Sequence, residues 1–372
     1  MPVFNNILAG AAGQTSGGSG EFKIERSLRF TSGSTSYLSR TPSTAGNRRK
    51  WSWSGWVKRA AGGTYQYIWG NATSAAVNGF MFRFESDKIR IADWGSTSVW
   101  SKVTSAVYRD YSAWYHIVIS YDTTNATAAD RVKLFVNGSR VTDFSTDQNP
   151  TQDYEGYANT TNTDAIGRWG GQNGYYLDGL LAEVHFIDGQ ALAPTDFGEF
   201  DADTGVWNPI EFTGTHGPPV NQSQNWTALA TGDDSSSPYR WEETFDGDAS
   251  TYGAIAPQNS ALNLDLSGLP GGGLSYSQSV AITYNRNSSA PDVTVNGSAI
   301  GATADGTDRT HTITGSGTLT SVGGETRSSG SYGDMSIKKI VVDGKELIDP
   351  SISIANNSFY LDFSDPSSTA SL

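Results

Sequence analysis

The carboxylates of Glu199-Phe200-Asp201-Ala202-Asp203 alternate with apolar residues. On an extended strand, residues 199, 201 and 203 would share one face. Two carboxyls about 5–5.5 Å apart would suit a retaining glycosidase, one as acid and one as nucleophile. The segment follows Pro194 and precedes Thr204-Gly205, and reads instead as a short helix over 193–200 running into a loop. It is therefore assigned no catalytic residue. Seryl catalysis needs Ser, His and an acid assembled in space. No Gly-x-Ser-x-Gly elbow stands between a strand and a helix, and no Gly-x-x-x-x-Gly-Lys-Ser/Thr phosphate loop occurs. The four histidines, His116, His185, His216 and His311, are scattered, although folding could gather them. With no cysteine, disulfides and thiolate metal sites are excluded. No enzyme activity is expected.

Aromatic residues on loops make the stronger case, because sugars stack on Trp and Tyr through their apolar faces. Trp94, Trp100, Trp169, Tyr175 and Tyr176 lie beside Gly, Ser and Asn and are the candidate glycan contacts. The competing reading has them capping a core. Trp51, Trp53, Trp56 and Trp114 read as core residues.

The elements that must position these residues are strands. Period-two alternation runs through Lys50-Trp51-Ser52-Trp53, Phe80-Met81-Phe82-Arg83-Phe84 and Lys88-Ile89-Arg90-Ile91. The run from Tyr115 to Tyr121 reads as a buried strand. Asn137-Gly138 and Asn296-Gly297 sit between alternating runs, as type I′ hairpin turns do, and Asp343-Gly344 repeats the signal. Long amphipathic helical windows are absent. The chain is expected to be all-β and built of sandwiches.

Pro209, Gly214, Gly217, Pro218, Pro219 and Asn221 crowd a region without apolar alternation. The expected division is a peptide over 1–20, a sandwich over 21–212, a linker over 213–221, a second and smaller sandwich over 222–349, and a strand with a polar tail over 350–372. That last strand either returns to the first sandwich or opens a further module.

Residues 1–20 carry no charged side chain, and Val3, Phe4, Ile7 and Leu8 are their bulky apolar residues. These four are the expected anchor of a docking peptide, the alternative being a leader folded back on its own domain. No secretion signal is visible in them. No apolar run approaches a membrane span. The formal net charge of −13 disfavours general nucleic-acid binding. It is unevenly spread: residues 21–60 hold nine Lys and Arg against two Glu, and residues 141–220 hold one Arg against thirteen acids. Either the two stretches neutralise each other, or the basic one, with Arg48, Arg49 and Lys50, meets a polyanion.

The stretch from Leu28 to Pro209 resembles the laminin-G-like, concanavalin A-like jelly roll. The resemblance rests on Ser27-Leu28-Arg29-Phe30 with Tyr37-Leu38, on Trp51 to Lys58, on Trp114 to Val118 with Val132 to Gly138, and on Tyr176 to Val184. Ala182 stands where that family's closing strand usually has Asp. Phe186 to Leu192, Phe197-Gly198-Glu199 and Gly205 to Pro209 are similar to appendage proteins of marine tailed phages, as are residues 1–14 and Lys23 to Phe30. That likeness implies a virion fibre or spike subunit, trimeric, synthesised in the host cytoplasm. It would dock on other virion proteins through residues 1–20 and meet host polysaccharide outward. Thr244 to Tyr252 is similar to a turn of discoidin-like, galactose-binding-like sandwiches that helps to hold a structural calcium. That likeness implies Asp246, Asp248 and Thr251 as hard oxygen ligands, against a tight acidic turn with no ion. Beside the adhesive reading stand a polysaccharide-cleaving enzyme and a secreted lectin.

Overall fold

The computed structural model describes residues 22–63, 65–73, 78–171, 173–233, 240–248, 251, 253–255, 261–286, 292–324 and 335–364. The expected docking residues Val3, Phe4, Ile7 and Leu8 lie outside them, as does Tyr252. The regular structure of the described residues is nearly all strand: their one α-helix is the single turn Trp241–Thr244. Ala193 to Phe200 is not the helix its Pro and acids suggested. It forms one 3₁₀ turn, Pro194–Asp196, and then the strand Gly198–Phe200, which pairs with Trp207–Pro209.

The chain forms two compact units, residues up to Pro218 together with those from Ala355, and Pro219–Ile354. The second is thus inserted in the sequence of the first. The expected linker over 213–221 is divided between the two.

In the first unit two sheets enclose the core. One runs in the order Leu28–Phe30, Gly179–Asp188, Lys50–Arg59, Tyr115–Asp122, Val132–Val136, Ser139–Arg140. The other runs Phe144–Gln148, Ser98–Thr104, Lys88–Trp94, Gly79–Glu85, Tyr65–Ala72, Thr163–Ile166, Leu38–Arg40. The C-terminal strand Phe359–Leu361 returns here. It pairs with residues 184–186 of Gly179–Asp188, beyond the stretch that pairs with Leu28–Phe30. The side chain of Asn357 donates to the Thr44 carbonyl and the Asn159 amide oxygen, both at 2.9 Å, and its N–H donates to Asp188 at 3.0 Å.

Trp51 and Trp53 point into the core, where Trp51 stacks on Tyr121 and meets Trp69 and Phe80 edge-on. Gly55 follows on the same face, and a Cβ there would stand 2.6 Å from the Trp53 ring. The glycine makes room for the indole. Trp56 lies an odd number of residues from Trp53, so the pleat turns it outward. It is buried as expected, but in a separate cluster on the other face, with Ala182 and Trp207. Asn137 and Gly138 both have positive φ (47° and 76°), as a type I′ turn requires. Asn296-Gly297 and Asp343-Gly344 repeat these angles closely.

The second unit has its own core, centred on Trp226, Trp241, Phe245, Leu264, Ile282 and Ile337. One sheet is built on Ser279–Arg286 and Met335–Val342, the other on Asn263–Asp265, Ser321–Gly324 and Val293–Val295.

The basic stretch is neutralised within its own fold. Arg48 and Arg49 both reach Glu155, and Lys50 reaches Asp122. Among the described residues, no helix is long and apolar enough to cross a membrane.

Candidate functional site

The outer face of the sheet containing Gly79–Glu85 carries an aromatic cluster separate from the core. In that strand Phe80, Phe82 and Phe84 point inward, so Met81, Arg83 and Glu85 point out. The neighbouring strand Tyr65–Ala72 contains a register shift between Tyr67 and Trp69. It sends Trp69 inward beside Phe82 and leaves Tyr67 outside beside Arg83. Regular alternation would have put both on one face.

Tyr67 stacks on Trp169, with centroids 5.8 Å apart and planes 10° from parallel. The indole Nε1 of Trp169 donates to the Asn71 carbonyl at 2.9 Å. Gly70 lies beneath, where a Cβ would meet the Phe80 carbonyl at 2.8 Å and Trp169 Cδ1 at 3.1 Å. Tyr175 sits in the loop that follows, at φ 58°, and accepts the Tyr67 N–H on its carbonyl at 3.0 Å. Tyr175 is 48% exposed, and its ring meets Tyr65 edge-on at 5.3 Å. The Arg83 guanidinium lies 4.2 Å from the Tyr65 ring centre. Arg83 and Arg90 both pair with Glu85. Burial raises the Glu85 pKa, but the bonds from the two arginines outweigh it and hold the carboxyl below its ordinary value.

Of the expected glycan contacts, Tyr175 is exposed beside this cluster and half-buried Trp94 packs against it, whereas Trp169 is corrected: it is buried, stacked on Tyr67. Tyr176 stands beside Tyr37, centroids 6.4 Å apart, and Tyr37 is 41% exposed. Trp100 is corrected: it is fully buried in the core near Phe80 and Tyr121. Its strand pairs it with Asp93, which faces inward with Ile89 and Ile91, so the pleat turns it away from solvent. Tyr65 and Tyr67 were missed because Tyr65–Ala72 shows no clean alternation, and Arg83 because the alternation of its own strand does not say what its outer face meets. The bulge after Tyr67 has no local signature.

The opposite sheet gathers three of the four histidines on its outer face. Ser54 and His116 are hydrogen-bonded at 2.9 Å, in the manner of a nucleophile and its base. The polarity is inverted. Trp207 Nε1–H donates to His116 Nδ1 at 3.0 Å, so the neutral ring carries its proton on Nε2 and donates to Ser54. Burial pushes the His116 pKa down to about 3, with His185 nearby adding to the effect. His185 Nδ1 and His216 Nε2 are 3.1 Å apart, and Tyr360 stacks on His185 while donating to Glu183 at 2.6 Å. Asp201 accepts from the N–H and hydroxyl of Thr204, both at 2.7 Å, so it shapes a turn.

In the second unit, Asp246 accepts the Asp248 N–H at 2.7 Å. The Thr251 hydroxyl donates to the carbonyls of Glu243 and Asp248. Burial raises the Asp246 carboxyl, and the Asp248 and Glu346 charges add to it. Among the described residues, no group of three or more His, Asp or Glu could hold a metal ion.

Residues 32–196 match a laminin G family described as the concanavalin A-like lectin/glucanases superfamily. The first unit is a concanavalin A-like jelly roll. Its aromatic cluster, built from residues 65–94 and 169–175, lies inside the matched span. Among solved structures, a putative carbohydrate binding protein from Bacteroides ovatus is 16% identical, with a TM-score of 0.31, over 46% of this chain and 45% of that one. A heptameric SAP-like pentraxin from Limulus polyphemus is 18% identical, with a TM-score of 0.32, over 45% of this chain and 77% of that one. Tailspike protein 2 of an Escherichia coli bacteriophage is 14% identical, with a TM-score of 0.33, over 48% of this chain and 24% of that one. At such scores these likenesses define neither ligand nor assembly for the jelly roll. Among curated proteins none matches the chain.

Proposed function

We propose that the chain is a non-catalytic adhesion protein that takes carbohydrate on the outer face of its jelly roll. The observation that carries the reading is the outer-face aromatic cluster, in which half-exposed Tyr175 and half-buried Tyr65 meet edge-on beside buried Tyr67 and Trp169. The accessible rings of such a cluster, here Tyr175 and Tyr65, offer a sugar a surface to stack on. Cleavage is disfavoured on the same face, because Glu85 is paired with two arginines. A general acid there would need a raised pKa, and that of Glu85 is lowered.

The setting is a phage appendage. Residues 1–20 would dock the protein on other virion components, and three copies would assemble into a fibre or spike. The sequence likeness to tailed-phage appendage proteins supports this.

Affinity electrophoresis through gels containing different polysaccharides tests the binding, with Tyr175→Ala as the control. Retardation lost in the variant is expected. Cleavage of any of these polymers by the purified protein would favour the enzyme. Deletion of residues 1–20 tests the setting: loss of incorporation into purified particles, with both units folded, is expected. Absence of the full-length protein from particles would favour a secreted lectin.

A further inference from the structure

Resting on the carbohydrate-binding reading, we infer that the saccharide is carboxylated, and that Arg168 is the residue that recognises its acid group. Arg168 is the sole Lys or Arg in residues 141–220, against thirteen acids. Even so, no carboxylate among the described residues lies within ion-pair distance of it, although Arg40, Arg48, Arg49, Arg59, Arg83 and Arg90 all have such partners. Its guanidinium lies 3.7 Å from the centre of the Tyr37 ring, and Nη1 donates to the Asn173 side-chain oxygen at 2.7 Å. Its Nε–H is buried without a partner. A neutral amide and an aromatic face orient the cation but do not neutralise it.

The position joins this charge to the aromatic surface. Arg168 precedes Trp169, which stacks on Tyr67, and its platform Tyr37 neighbours Tyr176. Tyr175, next in sequence, reaches Tyr65 and Tyr67. Exposed Tyr37 and Tyr175, with a planar cation over the Tyr37 ring that has no carboxylate partner, fit a sugar that carries a carboxylate, since guanidinium and carboxylate match in shape as well as charge. With a net charge of −13 the protein as a whole repels polyanions, so retention by an acidic polymer would need a specific site.

The test is affinity electrophoresis of the full chain through gels containing polygalacturonate, alginate or hyaluronan, and through neutral dextran and galactan gels. We expect retardation by at least one carboxylated polymer, weaker at high salt. Apparent affinity should fall at least tenfold in Arg168→Gln and partly recover in Arg168→Lys, with thermal unfolding of each variant checked first. Retardation by a carboxylated polymer that survives Arg168→Gln overturns the inference. Retardation only by neutral polymers, lost in Tyr175→Ala, also overturns it but leaves the proposed function standing. No retardation by any polymer overturns both.

Discussion

Trp207 donates its indole N–H to His116 Nδ1 at 3.0 Å, across the outer face of the first sheet. That bond fixes the tautomer of a buried neutral imidazole and turns the neighbouring Ser54 into an acceptor. The histidine is therefore a structural group with a pH signature. Its folded pKa, about 3, lies below the ordinary 6.5, so above pH 6.5 it is neutral in both folded and unfolded chains. As pH falls below 6.5 the unfolded chain takes up the proton and the folded one does not, and stability is lost at roughly 1.4 kcal/mol per pH unit. Replacing His116 by Gln should cost about 1–2 kcal/mol at pH 7.5 through lost hydrogen bonds. That cost should shrink by about 2 kcal/mol by pH 5. Urea unfolding of both proteins at the two pH values checks this, and a cost independent of pH would contradict it.

Asp93 should behave in the opposite sense. Burial raises its pKa from 3.8 to about 6, against the Tyr157 N–H that donates to it at 3.0 Å. Between pH 4 and 6 the folded chain holds a proton that the unfolded chain has released, so stability falls as pH rises through that window. Asp93→Asn keeps an acceptor for Tyr157 and removes the charge. It should leave stability nearly unchanged at pH 4 and raise it by up to ~3 kcal/mol at pH 8. Thermal unfolding across this range gives the comparison; a variant less stable at pH 8 would refute it.

Gly70 sets the position of Trp169. A methyl group there meets the Phe80 backbone carbonyl, which cannot move aside, and the edge of the indole, which can. Gly70→Ala should cost about 1–3 kcal/mol, shift tryptophan fluorescence to the red, and weaken retardation in the polysaccharide gels. A folded variant with unchanged emission would show that the indole does not depend on the glycine.

The C-terminal segment should act as a clasp on the first unit. Asn357 uses both its backbone and its side chain, and Asp188 accepts from it while donating its own N–H to Ser358 at 2.8 Å. Asn357→Ala leaves the Thr44 carbonyl and the Asn159 amide oxygen short of a donor in a buried site, at an expected cost of about 2 kcal/mol. Limited proteolysis should then release the residues after 354 sooner. Equal cleavage rates in variant and parent would refute the clasp.

Calcium should have little effect on the second unit. Among the described residues, no group of three or more His, Asp or Glu that could hold a metal ion includes Asp246 and Asp248. Melting in millimolar calcium and in chelator should coincide. A rise of several degrees with calcium would restore the calcium site suggested by the sequence.

Much of the architecture was legible because it depends on near neighbours. Alternation in Phe80 to Phe84 separates the two faces of a strand. Asn137-Gly138 makes its turn from the conformations those two residues tolerate. The likeness of residues 28–209 to a jelly roll follows from such signals in order. The site depends on what lies far apart. The bulge after Tyr67, which puts that ring outside and Trp69 inside, is set by pairing with Phe82 and Arg83. Trp100 resembles a loop aromatic in its sequence neighbourhood, but its strand faces the core. The return of Phe359–Leu361 joins residues some 175 positions apart. By itself the sequence determined the periods, the turns and the class of fold, because each is local steric chemistry. Which aromatic faces water, which histidine nitrogen holds the proton and which arginines pair with a carboxylate were decided by strand pairing and burial, and these exist only in the folded chain.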